Sequence, residues 1–211
     1  MIICLTRSNM PLNPEISRFI REHLDNNPDQ LLWKKNEYPD DRVVLAVEQI
    51  QARENIKEKL PSWYACRDIF YPSKLSTEQC SSETTAPYKA RLATGNSLCD
   101  LTGGLGVDTY FFSRQVDKVT YVERDESYCE AARSNFLALG ATNIEVIHAD
   151  ATTVASQVIA DTYYVDPARR TSDNKRVFAL TDYAPNVLEI KETLLQQGQR
   201  LIIKISPMAD L

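Results

Sequence analysis

Residues 91–211 predict an α/β fold built on an open, mainly parallel sheet of the doubly wound type, preceded by a small, mostly helical domain over residues 1–90. Five short apolar runs carry the first part: SLCDL (97–101), KVTYV (118–122), NIEVIH (143–148), TYYVD (162–166) and RLIIKI (200–205). The segments between them each have room for a helix, which is the alternation of βαβ units whose strands are buried on both faces. The first run also opens directly into a glycine-rich turn, whereas before residue 91 the periodicity is helical.

The elements follow in order. Asn13-Pro14-Glu15 is a helix start, with a capping side chain, a proline at the first helical position and a carboxylate near the positive end of the dipole. Ile16, Phe19, Ile20 and Leu24 then repeat at helical spacing, and the pattern stops at Asn26-Asn27-Pro28. A second helix is expected from Asp40 or Asp41 to Leu60, ended by Pro61, with Val43, Val44, Val47, Ile50 and Ile56 as its apolar stripe. Residues 61–83 place Trp63, Tyr64, Phe70 and Tyr71 among prolines and serines and read as a loop-rich connector. Its aromatics either pack against the neighbouring domain or line a substrate groove. Helices are expected over 109–115, 126–139, 152–160 and 184–196, and no internal repeat of fixed period occurs.

A chain of 211 residues allows one enlarged domain or two unequal ones. With 43% apolar and 25% charged residues, ten prolines and six glycines, it is neither collagenous nor wholly disordered. Five scattered cysteines without a C-x-x-C and only two histidines give neither a disulfide framework nor a zinc site, so no metal is expected. No apolar run is long enough to span a membrane, and the chain reads as cytoplasmic. The net charge is −5 and neither half has a basic excess, which weighs against a stand-alone nucleic-acid binder.

The chemistry gathers at the strand ends. Asp100-Leu101-Thr102-Gly103-Gly104-Leu105-Gly106-Val107-Asp108 is a glycine-rich turn leading into a helix N-terminus, where backbone can pass close beneath a ligand. The dinucleotide fingerprint fits Gly104-x-Gly106 but then needs a small residue where Thr109 stands. Asp100 would also repel a pyrophosphate and suits a cationic ligand instead. Three more acids follow successive strands: Glu123, Asp150 and Asp166. In a doubly wound sheet all these ends face one rim, where ligands bind. Singly, each acid is as readily a helix cap or turn residue; four in register with a glycine loop are not. Glu123 is placed for the two hydroxyls of a ribose, Asp150 for an exocyclic amine and Asp100 for an ammonium or sulfonium. Adenine, ribose and a cationic amino-acid tail together describe S-adenosylmethionine.

D-L-T-G-G-L-G-V-D, Glu123, Asp150 and V-D-P-A-R-R (165–170) resemble the ordered motifs of class I S-adenosylmethionine-dependent methyltransferases, which have a Rossmann-like sheet. More narrowly, E-Q-C-S-S-E-T-T-A-P-Y-K-A (78–90) and I-K-I-S-P-M-A-D (203–210) are similar to bacterial methyltransferases that carry a THUMP-like C-terminal domain. The resemblance implies a donor site of Asp100, Thr102, Gly103, Gly104, Gly106, Glu123 and Asp150, with Asp166 and Pro167 facing the acceptor. It also makes Tyr88 and Lys89 candidates for the methionine end of the donor, Lys89 pairing the carboxylate; the alternative is an exposed linker lysine. Pro87 departs from the larger, often basic residue expected there.

Methyl transfer mainly needs positioning and the handling of one proton. Asp166 could hydrogen-bond an amine or hydroxyl acceptor and help to remove its proton, or it could simply cap the loop that Pro167 bends. Ala168-Arg169-Arg170 stands where many amino-group methyltransferases have a base-stacking aromatic, so that mode is not available. Asp-Pro-Ala-Arg is also similar to the RNA uridine C5-methyltransferases, but Ser206-Pro207 replaces their nucleophilic cysteine, and a covalent mechanism is rejected. Arg169 and Arg170, with Lys175, Arg176 and Ser206, form the acceptor side. The basic residues there suit RNA phosphates or an acidic small substrate, or are a solvated surface. RNA, transfer or ribosomal, is the expected acceptor; a small molecule, a protein, or a catalytically silent module are the alternatives. Cys99 and Cys129 read as core cysteines, and His148 as a turn residue.

Class I methyltransferase sheets have seven strands, and the chain reaches Leu211 just after its fifth. The expectation is a fragment that lacks the last two strands and the THUMP-like domain, with the exposed fifth-strand edge available for pairing.

Overall fold

The computed structural model describes residues 14–38, 41–168 and 180–205. Asn13, Asp40, the 169–179 basic segment and Ser206 lie outside them.

Helix α1 (Pro14–His23) buries Phe19 and Ile20 against α3 (Arg42–Ile56), which supplies Val43, Ala46, Val47 and Ile50. The expected stop at Asn26-Asn27-Pro28 is also a start. Asn27 Oδ1 accepts from the N–H groups of Asp29 and Gln30 and caps α2 (Pro28–Leu32), a helix the periodicity does not reveal. At five residues α2 is too short to show a repeat.

The connector over 61–83 is not simply a loop. Helix α3 stops at Ile56, short of the expected Leu60, so Pro61 does not end it but opens α4 (Pro61–Ala65), and Ser73 Oγ caps α5 (Lys74–Gln79) by accepting from Ser76 N–H at 3.0 Å. Both helices are single-turn elements specified by a proline or a cap, which is why composition alone reads them as irregular. Trp63 and Tyr71 pack inward, in one cluster with Leu98 and Val119 of the sheet, while Tyr64 and Phe70 are half-buried. Helix α6 (Thr85–Ala90) then leads into the sheet.

Strands β1 (Ser97–Asp100), β2 (Lys118–Glu123), β3 (Ile144–His148), β4 (Thr162–Val165) and β5 (Arg200–Ile203) form one parallel sheet in the order β3-β2-β1-β4-β5. They coincide with the five apolar runs. Between them lie α7 (Val107–Phe112), α8 (Glu126–Ala138), α9 (Ala151–Val154) and α10 (Val187–Gln197). Strand alternation feeds two cores. Leu98, Val119 and Tyr164 join α6, α7 and the Trp63 cluster on one face, while Cys99, Val122 and Tyr163 join α9 and α10 on the other. Helix α8 covers Tyr121 with Cys129 and Phe136. Among the described residues β3 and β5 are the sheet edges. The strand order reverses between β1 and β4, so the crevice at their carboxyl ends is the topological switch point where such sheets bind ligands.

Among the described residues no helix is long and apolar enough to cross a membrane, and no group of three or more His, Cys, Asp or Glu side chains could hold a metal ion.

Candidate active site

The glycine turn closes over the end of β1. Gly103 N–H donates to Val122 O, and any side chain at Gly103 would strike the Tyr121 ring, with Cε2 only 2.1 Å from an added Cβ. Gly106 has φ +87° and caps α7, and a Cβ there would meet Phe136 at 2.8 Å. Gly104, at φ +53°, is the opposite case: an added Cβ has only Thr102 O nearby, at 3.8 Å, so its outer side is open. The loop is therefore packed from below and bare above, the shape a close-lying ligand requires.

Glu123 stands beside this loop. Its Oε2 accepts from Gly104 N–H at 3.0 Å and its Oε1 from Arg124 and Asp125 N–H at 2.8 and 3.0 Å. These bonds fix the carboxylate at the end of β2 and leave it acceptor capacity for further donors. Asp150 caps α9, its Oδ1 accepting from Thr152 N–H at 2.8 Å and from the Thr152 hydroxyl; that hydroxyl bond pulls its carboxyl below the usual range. The helix-cap role foreseen for a strand-end acid is thus present at Asp150, which stays exposed at the rim. His148 is the last residue of β3 rather than a turn residue, and its Nε2 lies 3.0 Å from Arg124 O.

Asp100 is buried to 1% exposure and turned into the loop. Its Oδ2 accepts from Thr109 Oγ1 at 2.6 Å and its Oδ1 from Thr102 N–H at 3.0 Å. Burial pushes its carboxyl up to about 7, against the pull of those two hydrogen bonds. Thr102 Oγ1 in turn accepts from Asp166 N–H at 2.7 Å, which ties the ends of β1 and β4 together across the switch point. Pro167 is buried next to it, and Ala168 makes an isolated antiparallel bridge with Ala184.

Two ion pairs complete the rim. Lys89, from α6, is not the exposed linker lysine of the alternative reading: its Nζ lies 2.5 Å from Asp108 Oδ2, with 12% and 11% of the two side chains exposed. The same oxygen accepts from Ser81 Oγ at 2.9 Å and Tyr164 OH at 2.8 Å, while Asp108 Oδ1 is buried without a hydrogen-bond partner. Burial lowers the Lys89 ammonium, with Asp108 opposing, and raises the Tyr164 hydroxyl. The second pair joins Lys204, just past β5, to Asp166 Oδ2. Burial raises the Asp166 carboxyl and Lys204 opposes it. Tyr88, beside Lys89, is 65% exposed. Cys99 and Cys129 are fully buried, and burial raises both thiols.

The structure thus brings Asp100, Thr102, the three glycines, Glu123, Asp150, Asp166 and Pro167 to one rim, with Lys89 paired to Asp108 beside them. Arg169, Arg170 and Ser206 lie outside the described residues. Sequence reasoning missed Asp108, Tyr164 and Lys204 as site neighbours. The signal was there for Lys204, a charge inside the apolar run RLIIKI, and for Asp108, the last residue of the glycine motif.

A five-stranded parallel sheet of this order, with a glycine loop after β1 and an acid after β2, is the Rossmann-like sheet of the methyltransferase type. A crystal structure of a candidate methyltransferase from Porphyromonas gingivalis W83 shares it at a TM-score of 0.81 and 31% sequence identity, over 93% of this chain and 49% of that one. The chain therefore spans about half the length of that relative. An rRNA methylase from Streptococcus thermophilus overlaps 57% of the chain and 69% of its own at 17% identity and a TM-score of 0.43. A candidate methyltransferase from Streptococcus mutans, in complex with S-adenosylhomocysteine, overlaps 55% and 65% at 18% identity and a TM-score of 0.42. No protein-family model matches the chain, and no curated protein does.

Proposed function

We propose that this chain is the catalytic part of an S-adenosylmethionine-dependent methyltransferase that acts in the cytoplasm on RNA, transfer or ribosomal. The observation that carries the donor is the pairing of an open glycine loop with Glu123: Gly104 is bare on its outer side and its N–H holds the carboxylate that would accept the ribose hydroxyls. The residues present fit the group. Asp150 offers its carboxylate to the adenine amine, and Gly103, Gly104 and Gly106 let the backbone approach. Asp100 acts from beneath the loop, through Thr102 and Thr109.

S-adenosylmethionine, when bound, supplies a methyl carbon on a sulfonium; the acceptor's lone pair forms the new bond as the carbon–sulfur pair stays on sulfur. The chain's own task is to orient the acceptor and take its proton, and Asp166 is the group for both. Its main-chain N–H is fixed by Thr102 and its carboxylate is partly exposed at the rim. Arg169, Arg170 and Ser206 would hold the acceptor, and β5, an edge strand among the described residues, would offer its edge for pairing. The similarity to methyltransferases with a THUMP-like domain supports RNA; a small molecule or protein acceptor is the alternative.

Calorimetric titration with S-adenosylhomocysteine tests the donor. The wild-type chain should bind and Glu123→Ala should bind at least about tenfold more weakly, the cost of one good ligand hydrogen bond. No binding by the wild type would refute the donor assignment. Radiolabelled donor incubated with RNA, protein and metabolite fractions tests the acceptor, and label confined to small metabolites would sink the RNA reading.

A further inference from the structure

We propose that Lys204 is a positioning residue for Asp166, holding its carboxylate aimed at the acceptor. The inference rests on the methyl-transfer reading, since it gives the ion pair a task within that reaction.

The geometry places the two side chains on adjacent strands at the same rim. Lys204 N–H donates to Val165 O at 2.9 Å, continuing the β4–β5 ladder by one residue, and this brings Nζ onto Asp166 Oδ2. The backbone of Asp166 is pinned from the other side by Thr102. With one carboxylate oxygen on Lys204 and the main chain fixed, the torsional freedom of Asp166 is largely removed. Both side chains keep about a third of their surface, 36% for Lys204 and 35% for Asp166. The pair thus stands open at the switch point, where the acceptor must arrive.

The charges around Asp166 make the lysine necessary. From β1 it faces Asp100, from α7 Asp108, from β4 Tyr164 and from α6 Lys89. Lys89 is already committed to Asp108, Ser81 and Tyr164. Burial and the neighbouring acids both favour the protonated form of Asp166, and a protonated carboxyl cannot take the acceptor's proton. Lys204 is the largest influence in the opposite direction.

The test is a titration of the whole chain labelled with carboxyl-13C aspartate, with Asp166→Asn used to assign the Asp166 resonance. Lys204→Met and Lys204→Gln should each move its midpoint upward by about one to three pH units, the usual effect of a lost neighbouring charge, and Lys204→Arg should restore most of it. An unchanged midpoint in Met and Gln variants would overturn the proposal. On whichever fraction the wild type labels, Lys204→Met should lower kcat more than it raises the acceptor KM and shift the acid limb of the pH profile to higher pH; a uniform loss at every pH would also overturn it. Failure of the wild type to bind S-adenosylhomocysteine or transfer label would refute the methyl-transfer reading itself, a failure the titration does not share.

Discussion

Asn135 and Phe70 exchange two hydrogen bonds: Asn135 Oδ1 accepts Phe70 N–H and Asn135 Nδ2 donates to Phe70 O, both at 2.8 Å. Asn135 lies on α8 and is fully buried, so a side chain completes the backbone pairing of a connector 65 residues away. Asn135→Ala would leave two main-chain groups unpaired at about 1–3 kcal/mol each. We expect a loss of about 2–6 kcal/mol in urea unfolding and faster proteolysis within residues 66–73. An unchanged midpoint would mean that water replaces the amide without cost.

The Lys89–Asp108 pair should behave as a buried ion pair does, costly to break from one side. Lys89→Met strands the Asp108 carboxylate and is expected to cost about 3–5 kcal/mol. The double variant Lys89→Met, Asp108→Asn should recover part of that loss. Additive effects in a double-mutant cycle would show that the two side chains are not coupled.

Asp100 gives stability a pH dependence with a definite sign. Its folded carboxyl titrates at about 7 against an ordinary value of 3.8. The unfolded chain therefore releases this proton first, and folding loses stability as pH rises from about 4 to about 7, with no further loss above. Asp166, also raised by burial, adds a slope of the same sign, so the comparison to make is wild type against Asp100→Asn. The asparagine can still accept from Thr102 N–H. Its unfolding midpoint should vary less between pH 4 and 7 than that of the wild type; parallel curves would show that Asp100 is ionised throughout.

Much of this fold is legible in the chain, for reasons that differ by element. The five strands are short apolar runs because both faces of the sheet are covered. Helix α8 (Glu126–Ala138) matches its expected span of 126–139 to within a residue, and the structure adds the Asp125 side chain as its cap. Helices α2, α4 and α5 were not legible, since each is a single turn set by Asn27, Pro61 or Ser73 and packed by tertiary contacts. At the site, Glu123 and the glycine loop follow from strand-end position. The partners of Lys89 and Asp166 do not, because pairing across α6–α7 or β4–β5 depends on side-chain reach rather than spacing.

Gly103 gives the sharpest substitution. A methyl group there collides with the Tyr121 ring, whose hydroxyl donates to Gly104 O at 2.6 Å, so the ring cannot swing aside without releasing the loop. Gly103→Ala is expected to destabilise the chain by about 1–3 kcal/mol, typical of overpacking, and to abolish measurable S-adenosylhomocysteine binding in the same calorimetric cell. Retained binding at wild-type affinity would show that the loop accommodates a side chain.

The strand order has a consequence for how the chain comes into being. β1 sits in the middle of the sheet, yet its neighbours β2 and β4 are both later in the chain. A ribosome must therefore deliver residues as far as Val165 before the central strand has both partners. The α1–α3 cluster closes from residues already emerged by Ile56, whereas Trp63 and Tyr71 wait for Val107 and Phe112. Vectorial synthesis thus separates this molecule into an early local core and a late long-range one, and the interval between them is the stretch over which nascent apolar surface is open to chaperones.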